Sequence, residues 1–170
     1  MRVLFVAQQI DYEPQGIMLL SSALKAAGHD VELAIAQYND PLAVAQAFKP
    51  HIVAYSVITG SQRYYLSVNR RLKAAMPDVF SVFGGPHPTF FPDMVREDGV
   101  DAICRGEGER ALVELVDVLA SGDGDRLLGL ANWCFWRNGQ MIMNPVRPYL
   151  EDLDSVPMAD RELVYQRDPV

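Results

Sequence analysis

Five short apolar runs, each followed by a stretch in which apolar residues recur every three or four positions, organise the chain up to about residue 120. The runs are RVLFVA (2–7), DVELAIA (30–36), HIVAYS (51–56), VFSVF (79–83) and DAIC (101–104). Their β-branched and aromatic content predicts strands. Between them, Ile17, Leu20, Leu24 and Ala27 share one helical face, with Gly28 placed to end the helix in a left-handed cap. Pro41–Phe48 predicts a second, shorter helix. Residues 61–75 predict a third, with Tyr65, Val68 and Leu72 on one side. A short, proline-interrupted helix is expected near 89–96, and a fifth over 107–120 with Leu112, Leu115, Val116 and Leu119 as its buried stripe. Strands alternating with helices in this way predict an α/β fold, a five-stranded parallel sheet covered on both faces.

Beyond Gly122-Asp123-Gly124 the pattern changes. Asn138-Gly139 lies between two strand-like runs in ANWCFWRNGQMIMN, the sequence sign of a tight hairpin, which is placed at about 131–144. The remainder is rich in proline and acids and lacks periodicity, so it reads as an extended linker toward a further domain. The expected organisation is a main domain over 1–125, a hairpin extension over 126–146 and a linker over 147–170. Trp133 and Trp136 are expected to pack the hairpin against the domain, and Cys104 to be a small core residue.

Composition narrows the function classes. The 170 residues are 49% hydrophobic, enough for a buried core, and carry a net charge of −7 with fifteen Lys and Arg in no basic stripe. Nucleic-acid binding by phosphate neutralisation is therefore not expected. No apolar run is long enough for a membrane span or a signal peptide, and the chain is read as cytoplasmic. Two cysteines form neither a disulfide framework nor a cluster-binding set.

A doubly wound sheet takes its ligand at the carboxyl ends of the strands, where the strand order reverses. The loops at that edge are QQIDYEPQG, VITGS, GGPHPT and RGEGE. In the first, Gly16 opens a helix and lets a ligand approach the backbone, or simply relieves a tight turn. Ser56 and Thr59 supply hydroxyls at the end of the third strand. Gly84-Gly85-Pro86 gives a backbone without side chains followed by a fixed bend, against which something flat can lie. Glu107, between Gly106 and Gly108, is a candidate hydrogen-bonding group. Glu109 is read first as an acidic residue favouring a helix N-terminus. Tyr12 is the aromatic side chain expected first at the ligand, ahead of Tyr64 and Tyr65, of which at least one belongs to the core. The opposite-edge turns, with His29 and His51, look structural.

Taken together, three of these loops resemble the cobalamin-binding domain, whose motif is D-x-H-x-x-G after the first strand, S-x-L after the third and G-G after the fourth. The matching segments are Asp11-Tyr12-Glu13-Pro14-Gln15-Gly16, Ser56-Val57-Ile58 and Gly84-Gly85. The resemblance implies a flavodoxin-like domain in which the nucleotide tail of cobalamin inserts beside the sheet, with Ser56 near its benzimidazole and Gly16, Gly84 and Gly85 making room. The implied cofactor set comprises Asp11, Tyr12, Glu13, Gln15 and Gly16 in the first loop and Ser56, Val57, Ile58 and Thr59 in the second. Gly84, Gly85, Pro86 and His87 belong to it in the third, and Gly106 and Glu107 in the fourth.

Glu13 stands where the motif has the histidine that ligates cobalt. His87 is the one histidine at the ligand edge, and a polar loop residue beside prolines is its preferred reading over a cobalt ligand. Loss of this histidine is a habit of cobalamin-dependent radical SAM proteins, whose N-terminal domain the chain also resembles in FGGPHPTFFPD (83–93), VDAICRGEGERAL (100–112) and LEDLDSVPMADREL (150–163). That resemblance implies base-off cobalamin without a histidine ligand. It also implies a downstream radical SAM domain holding a [4Fe–4S] cluster and S-adenosylmethionine, with methyl transfer or related radical chemistry. The present sequence carries no C-x-x-x-C-x-x-C motif and no activity is expected of it alone. A free-standing cobalamin carrier or sensor is the alternative, against which the unfinished-looking tail counts. A response-regulator receiver is disfavoured by Gln8, Gln9 and Ser56, which stand where it needs acids.

Overall fold

The computed structural model describes residues 1–152 and 156–166. Five parallel strands, β1 (Arg2–Ala7), β2 (Asp30–Ile35), β3 (Ile52–Ser56), β4 (Phe80–Gly84) and β5 (Ala102–Cys104), alternate with helices α1 (Gln15–Ala26), α2 (Pro41–Phe48), α3 (Gln62–Ala75) and α4 (Pro86–Phe90). A 3₁₀ turn (Pro92–Arg96) follows α4, and α5 (Glu109–Ser121) and the short α6 (Gly124–Leu127) follow β5. The hairpin strands β6 (Trp133–Arg137) and β7 (Gln140–Met143) and a last helix, α7 (Arg161–Tyr165), complete the order. The sheet runs β2-β1-β3-β4-β5-β6-β7, which is the flavodoxin-like order with two strands added. The hairpin is thus part of the main sheet: β6 pairs antiparallel with β5 through Ile103↔Cys134.

Side chains alternate across each strand, and that period splits the core in two. Val3, Phe5 and Ala7 of β1, with Ile52 and Ala54 of β3, pack beneath α1 and α5. Leu4 and Val6, with Val53 and Tyr55, pack on the other face against α2 and α3. Burying each such large side chain contributes roughly 1.5–3 kcal/mol. Trp133 is 1% exposed beneath α5, where its Nε1–H donates to the Ala111 carbonyl at 3.0 Å. The buried amide of Asn69 is satisfied by the Tyr55 hydroxyl at 3.1 Å and the Gly99 carbonyl at 2.8 Å.

The punctuation behaves as its chemistry requires. Gly28 at φ +83° ends α1, its N–H donating to Lys25 and the next to Leu24. Asn138 and Gly139 both take positive φ in the β6–β7 turn. Some expectations needed correction. Met18 is buried on α1 and Ala27 is exposed, because the helix ends at Ala26. The single helix expected near 89–96 is instead α4 plus the 3₁₀ turn, divided before Pro92. The fifth helix begins at Glu109 rather than 107, and Leu119 is half-buried while Ala111 and Val118 are buried in its stripe.

The tail is not the wholly extended linker expected. Residues 156–166 fold back onto α1, where Asp160 accepts from Ser21 Oγ and Lys25 Nζ, each at 2.6 Å. Its own N–H donates to the Met18 carbonyl at 3.1 Å, and Leu163 and Val164 of α7 are buried in the α1–α5 core. Burial opposes the Asp160 charge, but the hydrogen bonds from Lys25 and Ser21 outweigh it and hold the pKa below the usual carboxylate range. A depressed pKa stabilises docking above that range, and the contribution is lost as pH falls through the depressed value. Proteolysis of residues 156–166 is therefore expected to stay constant from neutral pH down to about pH 4 and to rise below it. Asp160→Asn should open the same segment at neutral pH at a cost of about 1 kcal/mol, because Lys25 is partly solvated.

Gly85, between β4 and α4, has φ +93°, and a Cβ there would lie 2.9 Å from the Val57 nitrogen and 3.0 Å from its oxygen. Gly85→Ala should lower stability by about 1–3 kcal/mol, read as a fall in thermal unfolding midpoint.

Candidate functional site

At the carboxyl edge of the sheet a cleft of about 200 Å³ opens beneath α1 and α5. Its floor is Phe5, Ala54, Val82 and Cys104, side chains that alternate onto the α1–α5 face of β1, β3, β4 and β5. Leu20 of α1 and Leu112 of α5 form apolar walls, and Trp133 closes one side. The polar rim is Ser56, Glu107 and Glu109, with the bare backbones of Gly16, Gly84, Gly85, Gly106 and Gly108. Such a site, mostly apolar with a few placed polar groups, suits a flat heterocycle with hydrogen-bonding edges. A cavity of about 150 Å³ is known to hold benzene, so this one has the scale of a single aromatic ring system.

The loops around the cleft are cross-linked. The Val57 N–H donates to the Gly84 carbonyl at 2.8 Å, and the His87 N–H to the Val57 carbonyl at 2.9 Å. Thr89 Oγ1 donates to the Gly85 carbonyl at 2.9 Å and accepts the Gly106 N–H at 3.1 Å, tying the fourth loop to the fifth. Asn132, at φ +75°, donates through Nδ2 to the carbonyl of Arg105 at 2.7 Å. The close approach of Gly85 to Val57 is possible only without a Cβ. A Cβ on Gly108 would meet Leu20 Cδ2 at 3.1 Å, whereas one on Gly16 would meet nothing within 4 Å. Gly108 therefore serves packing, and the Gly16 backbone is open to a ligand.

Six of the sequence-predicted residues come together at this cleft: Gly16, Ser56, Gly84, Gly85, Gly106 and Glu107. Val57 is buried in the core on the opposite, α2–α3 face, while Ile58 is 62% exposed and Thr59 lies outside, its hydroxyl 3.1 Å from His87 Nδ1. Pro86 opens α4, and the His87 ring stacks on Phe91 at 5.0 Å, so neither lines the cleft. In the first loop Asp11 accepts from Gln9 at 2.5 Å and Tyr12 is 88% exposed. Gln15 donates to Glu13 at 2.8 Å. The Tyr165 hydroxyl donates to Glu13 as well, and Arg161 Nε lies 3.7 Å away. This hydrogen bond and the Glu13 charge push the Tyr165 phenol up, keeping it a donor.

Sequence reasoning missed the cleft's apolar half. Leu20, Ala54, Cys104, Leu112 and Trp133 carry the same periodic signal as the rest of the core. Burial pushes the Cys104 thiol up to about 12, the Glu109 charge adding to it, so Cys104 packs as a neutral side chain. Tyr65 is a core residue whose hydroxyl accepts the Gln8 N–H at 3.2 Å. Glu107 accepts the Leu150 N–H at 3.0 Å and so holds the tail. His29 pairs with Asp117 at 3.1 Å, and His51 accepts from the Arg2 N–H at 2.9 Å, both remote from the cleft. Among the described residues no group of three or more His, Cys, Asp or Glu is placed to hold a metal ion. No helix among them is long and apolar enough to cross a membrane.

Comparison with known proteins agrees with this geometry. The family model described as B12 binding domain matches residues 1–116. An uncharacterized methyltransferase of Pyrococcus horikoshii is 31% identical over 158 residues, covering 89% of this chain and 34% of its own length. The anaerobic magnesium-protoporphyrin IX monomethyl ester cyclase of Rubrivivax gelatinosus is 32% identical over 178 residues, covering 92% of this chain and 32% of its own. The chain thus spans about a third of the curated relatives it matches. Among solved structures, the cobalamin-dependent S-adenosylmethionine radical enzyme OxsB with aqua-cobalamin bound superposes with a TM-score of 0.78 at 20% identity, over 94% of this chain and 24% of that one. A CheY-like protein of Pseudomonas aeruginosa shares the fold at a TM-score of 0.51 and 18% identity, over 70% of this chain and 94% of its own. With the matched family model covering more than half of its residues, the chain belongs to the B12-binding domain family.

Proposed function

We propose that the chain binds cobalamin base-off, with no histidine of its own on cobalt, and that it serves as the cofactor module of a cobalamin-dependent radical SAM enzyme. The observation that carries this reading is the convergence of Gly16, Ser56, Gly84 and Gly85 on one apolar cleft of ring-system size at the switch point of the sheet. A base seated in that cleft is held away from cobalt. Ser56 would hold its edge, the Gly84 and Gly85 backbone its face, and Leu20 and Leu112 would exclude water from it. Glu13, engaged by Gln15, Tyr165 and Arg161, supports a lower face without a ligand from the first loop. The His87 ring, stacked on Phe91 beside Thr59, supports the same reading.

Cobalamin bound here would supply a transferable carbon ligand. The exposed side chains of Tyr12, Ile58, Phe90 and Phe91 offer an apolar rim for what covers the corrin. In the whole protein that cover is a downstream domain with a [4Fe–4S] cluster and S-adenosylmethionine, and the reaction is methyl transfer or related radical chemistry. The names of the relatives, a methyltransferase and a cyclase, support that class.

Mixing the purified chain with hydroxocobalamin, desalting and recording the visible spectrum tests the binding. One equivalent of a base-off chromophore is expected to remain, and a colourless protein would overturn the proposal. Reduced to Co(II), the bound cofactor should show an electron paramagnetic resonance spectrum without nitrogen splitting from an axial ligand. A nitrogen-split spectrum would contradict the histidine-free lower face.

A further inference from the structure

One side-chain atom of a residue lining the cleft has no partner among the described residues. Glu109 Oε2 is buried and meets no hydrogen-bond donor among the described residues, although the residue as a whole is half-buried. It belongs to the first turn of the thirteen-residue helix α5. Glu109 is among the residues that line the cleft with Ser56, Gly84 and Cys104, and its charge bears on the Cys104 thiol at the floor. Glu107, two residues earlier, is by contrast already engaged by the Leu150 N–H.

An ionised carboxylate is an acceptor only, and a buried one without a donor is unfavourable until a donor arrives. Resting on the cobalamin reading above, we infer that Glu109 accepts a hydrogen bond from the nucleotide tail of cobalamin and so selects corrinoids that carry such a tail. The tail brings the required donors in its ribose hydroxyls, which cobinamide lacks, whereas the linker amide N–H is common to both. The cleft is too small to admit the corrin ring that carries the remaining amides. Glu109 is thus a specificity residue in the same cleft as Ser56.

The test compares aquacobalamin with diaquacobinamide, which lacks the nucleotide tail, by absorbance titration of the chain and of Glu109→Ala and Glu109→Gln. Glu109→Ala is expected to weaken aquacobalamin binding on the order of ten-fold or more and to leave cobinamide binding unchanged. Glu109→Gln, which keeps a carbonyl acceptor without the charge, should fall between. The unfolding midpoint of ligand-free Glu109→Ala should be equal to or above that of the parent, because an unpaired buried oxygen has been removed. Unchanged cobalamin affinity, an equal loss for both ligands, or a lost affinity accompanied by a lowered midpoint would each overturn the inference. If the parent chain binds cobalamin and the variants match it, only the role of Glu109 falls. If the parent binds neither ligand, the cobalamin reading falls with it.

Discussion

The handedness of the crossovers is the constraint on which the remaining structure depends. A parallel strand pair joined by a helix is connected right-handedly, so the side on which a new strand is added decides which face its helix covers. Here β2 lies on one side of β1 and β3 on the other. Consequently α1 covers one face while α2 and α3 cover the opposite one, and α5, leaving the far side of the parallel strands, returns to the face of α1. The opening between the loops after β1 and β3 follows from that reversal. The floor of the cleft is then the set of residues that alternate onto the α1–α5 face: Phe5, Ala54, Val82 and Cys104.

What makes this opening a candidate site rather than a seam is its fixed shape. Val57, His87, Thr89 and Gly106 join the loops after β3, β4 and β5 through backbone and hydroxyl hydrogen bonds. Gly85 allows the fourth loop to lie directly on Val57, and Gly108 allows the α5 entry to close on Leu20. A rigid, mostly apolar slot loses little freedom when it accepts a flat ligand, which favours binding. Its polar groups are Ser56, Glu107 and Glu109 at the rim.

The strands and most helices were legible in the sequence because each carries a periodic signal backed by a capping or turn residue such as Gly28 or Asn138-Gly139. Gly16, Ser56, Gly84 and Gly85, which line the cleft, stood out because small and hydroxyl residues are conspicuous at the ends of apolar strands. Leu20, Leu112, Cys104 and Trp133 did not, since lining a cleft and filling a core demand the same residue types. The docking of residues 156–166 was hidden for another reason. It depends on Asp160 meeting Ser21 and Lys25 from far along the chain, a pairing that leaves no local pattern. Through the same tail, Arg161 and Tyr165 reach Glu13, so the position where the motif has a histidine is joined to residues 156–166.

Hydrogen exchange of the chain with and without cobalamin tests most directly the claim that the ligand enters at the switch point of the sheet. Slowed exchange is expected in peptides covering 11–20, 56–60, 84–91 and 104–112, with no change at 26–31 and 48–52 on the opposite edge. Protection confined to that opposite edge, or absent from 84–91 and 104–112, would contradict the account.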